Sequence, residues 1–299
     1  MTEVSDDGLA GLDEFALLHE NAEQAGVSGS LPVVARVERD PISALTWGDT
    51  PPRVVFLHGG GQNAHTWDTV IVGLGEPAIA VDLPGHGHSA WRDDGDYSPQ
   101  RNAAALAPVV SELAPQADLV VGMSLGGLTA IRLAAIAPEL VNELVLIDVT
   151  PSALQRHAEM TKEQLGTIAL MHGEREFPSF QAMLDLTVAA APHRELKALR
   201  RGVFHNSRQL DNGNWTWRYD AIRSFPDFAS LWDDVDVMAA PVTLIRGGNS
   251  GFVSDEDVDE LARRAKHFRG AHSVEGSGHS VQSDQPRALI DILRTVLEG

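Results

Sequence analysis

Asp118-Leu119-Val120-Val121-Gly122-Met123-Ser124-Leu125-Gly126-Gly127-Leu128-Thr129-Ala130 joins a short apolar run to a Gly-x-Ser-x-Gly pentapeptide and then to a small-residue helical pattern. The run at 119–121 reads as a buried strand, and Leu128, Ile131, Leu133, Ala134 and Ile136 read as one helix. A serine in the tight turn between them must project its hydroxyl from a strained corner. Glycines at 122 and 126 remove the Cβ atoms that would block so close a crossing. Ser124 is therefore the candidate nucleophile. The pentapeptide alone matches many ordinary strand-to-helix loops; the flanking pattern and the partners before and after it give it weight.

Composition narrows the rest. A chain of 299 residues can bury a sizeable core, as one α/β domain or one domain carrying an insertion. The formal charge of −19 argues against nucleic acid or an anionic membrane as partner, since phosphates would be repelled. With 0 Cys, disulfides, thiolate metal sites and cysteine nucleophiles are excluded. Residues 1–26 lack a basic segment followed by an apolar one, and no window reaches the roughly 18 apolar residues of a membrane span. A soluble, cytoplasmic protein is expected. Self-association stays open, with the N-terminal helix or the insertion as candidate surfaces.

Working outward, Leu9, Leu12, Phe15, Ala16 and Leu18 predict an amphipathic helix within 8–25, read as docked on the domain surface. Val33–Val37 and Ile42–Trp47, parted by Glu38-Arg39-Asp40-Pro41, predict a hairpin. Apolar strands at 53–57, 77–81, 119–121 and 144–148 then alternate with helical stretches at 65–72, 99–113 and 125–137. That alternation predicts a mostly parallel sheet covered on both faces, with the site at the carboxyl ends of its strands. It breaks at Pro151 and resumes at Pro241-Val242-Thr243-Leu244-Ile245, followed by a helix at 255–268, a strand at 271–275 and a helix at 285–298. The division expected is a core of residues 1–150 and 231–299 and a helical cap at 151–230, in which Phe180, Met183, Leu184 and Val188 share a face.

After the strand ending at Leu57 comes His58-Gly59-Gly60-Gly61-Gln62-Asn63. Three glycines let backbone N–H groups approach a ligand closely, as an oxyanion site requires. The predicted donors are the amides of Gly60 and Leu125, with Gly61 as the fallback. The run lacks the Gly-Lys-Ser/Thr ending of a phosphate cradle, which sets nucleotide binding aside. Near the C-terminus, Gly278-His279 lies in a Gly-rich loop straight after a strand. His279 is the candidate general base.

With these residues on the page, the chain resembles the α/β-hydrolase-fold serine hydrolases. The resemblance rests on His58-Gly59-Gly60-Gly61, Val81-Asp82-Leu83-Pro84-Gly85-His86-Gly87-His88-Ser89, Gly122-Met123-Ser124-Leu125-Gly126 and Gly278-His279, over about residues 30–299 apart from the cap. It implies a central sheet of about eight strands, no cofactor, and attack on an ester, lactone or similar carbonyl. It also implies that the His86/His88 loop is structural and binds no metal. Most members take the acid after the seventh strand, but there this chain has Asn249 and Ser250, neither of which supplies an anion. Other members take it from the end of the sixth strand, which here delivers Asp148. The predicted triad is Ser124, Asp148 and His279. Asp148 also fits a loop-capping role; Asp255 is the second candidate, though Asp255-Glu256-Asp257 reads better as a helix N-terminal turn.

The cap is expected to roof an apolar pocket, with Trp217, Met160 and His205 as candidate substrate contacts; either one of Trp215 and Trp217 faces the pocket or both pack as cap core. A sixth-strand acid with a helical cap is similar to the zearalenone-type macrolactone hydrolases, so the expected substrate is an apolar carboxylic ester or lactone. A carbon–carbon bond hydrolase of ring-cleavage products, a cofactor-independent haloperoxidase and a non-catalytic binding protein on the same fold are the alternatives.

Overall fold

Strands that are apolar on both faces need cover on both faces, and the central sheet has it. The computed structural model describes residues 12–161, 167, 170, 171, 173–221 and 230–299. The chain enters with helix α1 (Leu18–Ala25), then the hairpin β1 (Val34–Arg39) and β2 (Ile42–Trp47). There follow β3 (Val54–Leu57), α2 (Asp68–Leu74), β4 (Ala78–Asp82), α3 (Pro99–Leu113), β5 (Leu119–Met123), α4 (Leu125–Ile136) and β6 (Leu144–Ile147). Eight strands form the sheet in the order β1-β2-β4-β3-β5-β6 and then β10 (Val242–Gly247) and β11 (Phe268–Val274). From β4 onward the pairs are parallel, and β2 runs antiparallel to β1 and β4. This is the α/β-hydrolase arrangement that the motifs implied.

Alternate residues of one strand enter different cores. Val55 and Leu57 of β3 pack with α3 and α4, whereas Val54 and Phe56 join α1, α2 and the C-terminal helix Pro286–Glu298. The predicted strands 119–121 and 144–148 fall on β5 and β6 within a residue or two. The hairpin turn is tighter than expected: Glu38 and Arg39 stay in the ladder opposite Ser43 and Ile42, leaving Asp40-Pro41 at the turn. Of the helix predicted at 8–25, Leu18–Ala25 is helical with Leu18, Asn21 and Ala22 inward, 14–17 form turns, and the portion before residue 12 lies outside the described residues.

Between β6 and β10 the central sheet receives no strand from the described residues. That segment holds α5 (Ala153–Glu159), β7 (Glu176–Phe177), α6 (Phe180–Ala190), α7 (Leu196–Asn206), β8 (Ser207–Gln209), β9 (Trp215–Trp217) and α8 (Leu231–Val237). The segment was expected to be mainly helical; beside its helices β7, β9 and β8 make a three-stranded antiparallel sheet. Period-two alternation in Trp215-Thr216-Trp217 sets both indoles on one face, where they meet the rings of Phe180 and Phe177 edge-on. Phe180, Met183 and Leu184 of α6 are buried in that same cluster, with Val188 packed against it. The last helices are α9 (Asp255–Arg264), α10 (Val281–Asp284) and α11 (Pro286–Glu298). Among the described residues no helix is long and apolar enough to cross a membrane.

A tight backbone crossing lies where β5 gives way to α4. A Cβ on Gly126 would sit far inside van der Waals contact with the carbonyl of Leu57, and one on Gly122 would lie 2.6 Å from the Gly126 oxygen. Backbone cannot yield as a side-chain tip can, so Gly126→Ala is expected to lose at least about 3 kcal/mol. A thermal unfolding midpoint several degrees below wild type is the expected reading. An unchanged midpoint would mean that the crossing is not this close.

Candidate active site

Ser124 occupies the corner the pentapeptide predicts, with φ 50° and ψ −119°. Its amide donates to Ile147 O at 3.2 Å and its carbonyl accepts from Leu128 N at 3.0 Å, so the turn is pinned to β6 and α4. Ser124 and Asp148 are the two described non-glycine residues with positive φ. Such backbone strain persists only where the surroundings enforce it, and here both cases end neighbouring parallel strands. Leu125 is the first residue of α4, so its N–H is one of those with no acceptor inside the helix.

Asp148 is fully buried, and three donors hold its carboxylate. His279 Nδ1 lies 2.7 Å from Oδ2, Ser250 Oγ donates to Oδ2 at 2.5 Å, and the Gly247 amide donates to Oδ1 at 3.0 Å. A carboxylate only accepts, so the proton between Asp148 and His279 sits on Nδ1 and the lone pair on Nε2. That Nε2 is buried with no hydrogen-bond partner among the described residues. Phe252 stacks on the imidazole at 3.7 Å between ring centroids. The second acid candidate, Asp255, is 83% exposed and pairs with Arg246 at the surface. Ser250, at the position where a seventh-strand acid would sit, instead braces the sixth-strand one.

The glycine loop is tied down from both sides. His58 is fully buried; burial, together with His86 beside it, lowers it to about 3, so the ring is neutral. Its Nδ1–H donates to Gly59 O at 2.7 Å and its Nε2 accepts the Leu83 amide at 2.9 Å. The Gly59 amide donates to Gln62 Oε1 at 3.0 Å, and the Gly61 amide to His86 Nε2 at 3.0 Å. Gly61, the fallback oxyanion donor, thus has its N–H engaged. Gly60 lies between the two on the cavity wall. His86 also bonds Pro84 O through Nδ1, so both of its nitrogens serve the loop.

A cavity of about 250 Å³ is lined by Ser124, His279, Gly60, Leu125, Trp217 and His205 among others, so six of the eight residues singled out from sequence share it. Asp148 stands behind His279. Met160 is not among the lining residues; its methyl end lies toward Gly251. Trp217 is buried with Nε1 unpartnered among the described residues and stacks on Tyr219, while Trp215 packs on Phe180 away from the cavity. Several lining residues carry no sequence signal: Asn21 and Gln24 of α1 and Gln282 of α10 reach the cavity only through tertiary packing.

An ionic network flanks the cavity. His65 is set between Asp68, 2.8 Å from Nδ1, and Glu14, 2.9 Å from Nε2. Burial works against its charge, and the two carboxylates overcome that and raise it to about 9. Burial likewise opposes ionisation of Glu14, yet bonds from His65 and Arg36 hold it at about 2. His205 stacks on His65 at 3.7 Å, and burial, with the His65 charge beside it, pushes His205 well below its usual value. The donor atoms of His65, Asp68 and His205 lie within 4.8 Å of one another, but both His65 nitrogens already face carboxylates.

Residues 54–292 match the alpha/beta hydrolase family. Esterase Rv0045c of Mycobacterium tuberculosis is 78% identical over 295 residues, which cover 99% of each chain. A solved structure of that esterase superposes with a TM-score of 0.90, covering 97% of this chain and 100% of that one. Lipase LipV of Mycobacterium tuberculosis is 27% identical over 256 residues, 83% of this chain and 94% of that one.

The His65 network carries a pH signature. A folded-state value near 9, above the ordinary 6.5, means its stabilisation is complete below pH 6.5 and is lost as pH rises through 9. The gap in unfolding midpoint between wild type and His65→Gln is therefore expected to shrink between pH 6.5 and 9. A gap that holds constant across that window would show that His65 is not charged in the fold.

Proposed function

We propose that this chain, which belongs to the alpha/beta hydrolase family, is a serine esterase in which Ser124, His279 and Asp148 form the catalytic triad. The observation that carries this is the cavity shared by Ser124, at its strained corner, and His279, whose far nitrogen is bonded to a buried carboxylate. The 78% identity to an enzyme named as an esterase supports ester hydrolysis as the reaction.

In the proposed mechanism Ser124 Oγ attacks the ester carbonyl carbon while His279 Nε2 takes the hydroxyl proton. Asp148 keeps the proton of the imidazole on Nδ1 and stabilises the cation that forms. The carbonyl oxygen, gaining negative charge, is received by the amides of Gly60 and Leu125. Collapse of the tetrahedral intermediate returns the proton from Nε2 to the departing alcohol. Water, deprotonated by His279, then releases the acid by the same route. Apo enzymes commonly hold the serine-to-histidine contact loosely until substrate arrives, which fits an unpartnered Nε2.

Residues 151–230 are assigned the role of a cap over this cavity, because Trp217 and His205 reach its wall from there. The volume, about 250 Å³, lies below the roughly 300–1,000 Å³ of pockets for drug-sized ligands. A cavity of this order holds a small ester or part of a larger ester or lactone.

Turnover of p-nitrophenyl esters tests the assignment. Ser124→Ala is expected to abolish it, and Asp148→Asn to lower kcat by roughly 10³–10⁴-fold, while Asp255→Asn stays near wild type. A normal Asp148→Asn enzyme, or a crippled Asp255→Asn one, would move the acid elsewhere. Zearalenone incubated with wild type and with Ser124→Ala and followed by mass spectrometry checks the lactone expectation: addition of one water by wild type alone would support it, and no product would leave open-chain esters as the substrate class.

A further inference from the structure

The chain has 2 tyrosines, and their hydroxyls are treated in opposite ways. Tyr97 Oη donates to Asp220 Oδ2 at 2.6 Å and accepts from the Arg92 amide at 2.8 Å. Tyr219 is buried as deeply, at 3% exposed, yet its hydroxyl has no hydrogen-bond partner among the described residues. A buried tyrosine usually finds one. Nor is this hydroxyl walled in. Trp217 Nε1 beside it is sealed off, whereas Tyr219 Oη keeps accessible surface, and the residue lines the cavity that holds Ser124 and His279.

The ring that carries the hydroxyl is held in place. It stacks on Trp217 at 5.8 Å between centroids, and the Arg175 guanidinium lies over it at 5.1 Å. The backbone is fastened on both sides, by Arg218 N to Asn206 O at 2.8 Å and Asp220 N to Gly85 O at 2.7 Å, and Arg175 donates to the Tyr219 carbonyl. None of these contacts uses the hydroxyl. A Cβ on Gly61 would stand 3.8 Å from Tyr219 Cε1, the carbon next to the one bearing Oη. That edge of the phenol therefore borders the glycine loop one residue past Gly60, the proposed oxyanion donor. Burial pushes the phenol above its ordinary value, against the opposing Arg175 charge, so the group stays protonated and able to donate.

We propose that Tyr219 Oη is a substrate-contacting hydrogen-bond donor, which takes an oxygen of the ester at the glycine-loop end of the cavity. An ester supplies what the hydroxyl lacks: carbonyl and alkoxy oxygens, and any oxygen along its chain, all of them acceptors. With the ring already fixed, little ordering is left to be done when substrate arrives. The inserted segment then contributes a polar recognition group as well as apolar wall. The proposal rests on the esterase assignment for the kind of molecule bound.

Tyr219→Phe removes one oxygen and keeps the ring. Because that oxygen bonds nothing in the protein, the thermal midpoint is expected to stay at or above that of wild type, while kcat/KM for esters falls about tenfold. Two kinds of substrate locate the bond. Naphthyl butyrate has no oxygens besides those of its ester, so a loss there puts the hydroxyl on the ester group itself. A loss confined to analogues with an ether or keto oxygen along the acyl chain puts it on the chain. Values of kcat/KM within about twofold of wild type for all of these esters would overturn the proposal and leave the hydroxyl to water. A lowered midpoint accompanying the lost activity would overturn it as well, since the hydroxyl would then be holding the fold. Failure of the esterase assignment would show separately, as absent turnover by wild type.

Discussion

Helix α4 begins so close to the end of β3 that residue 126 has no room for a side chain against the Leu57 carbonyl. Much of the site follows from that approach. The loop leaving Leu57 must run directly beside the Ser124 corner, and a Cβ on Gly59 would meet Met123 Sδ at 2.5 Å and Ser124 Cβ at 3.3 Å. The same contact that forces glycine into the pentapeptide brings a second run of glycines, with amides free of side-chain bulk, beside the hydroxyl. Packing of one strand end on one helix start thus brings together both halves of the proposed nucleophile-plus-oxyanion arrangement.

Buried charge fixes what the glycines leave pliable. Asp82, with no exposed surface, accepts from the Ala64 amide at 2.7 Å, the His88 amide at 3.0 Å and Arg36 at 2.7 Å, tying the glycine-loop side to the loop after β4. Its partner Arg36 also holds Glu14, which reaches His65. Leaving any one of these charges uncompensated in the interior would cost several kcal/mol, on the order of 3–5. Asp148 follows the same rule on the other side of the serine. Its three donors come from β10, the loop after it, and the loop after β11, so three segments converge on one carboxylate.

The sheet and the principal site were legible because their signals are local. Apolar runs mark strands, and Gly-x-Ser-x-Gly and Gly-His name their residues by position. With no acid at Asn249 or Ser250 the sequence points to Asp148, and the structure sets that carboxylate 2.7 Å from His279 Nδ1. Other features have no local signal. The strands of the insertion are two or three residues long, too short to stand out as strands in a segment that is mainly helical in pattern. Asn21 reads as one polar residue on a surface helix, and only packing against α2 turns it inward. Met160 was singled out by its place in the chain, and its side chain lies toward Gly251 and off the cavity wall.

Covalent trapping tests the central assignment most directly. Wild-type protein would be treated with a fluorophosphonate and its digest read by mass spectrometry. One adduct is expected, on Ser124, formed far more slowly in His279→Ala. An unmodified Ser124, or an adduct that forms at the same rate without His279, would contradict it.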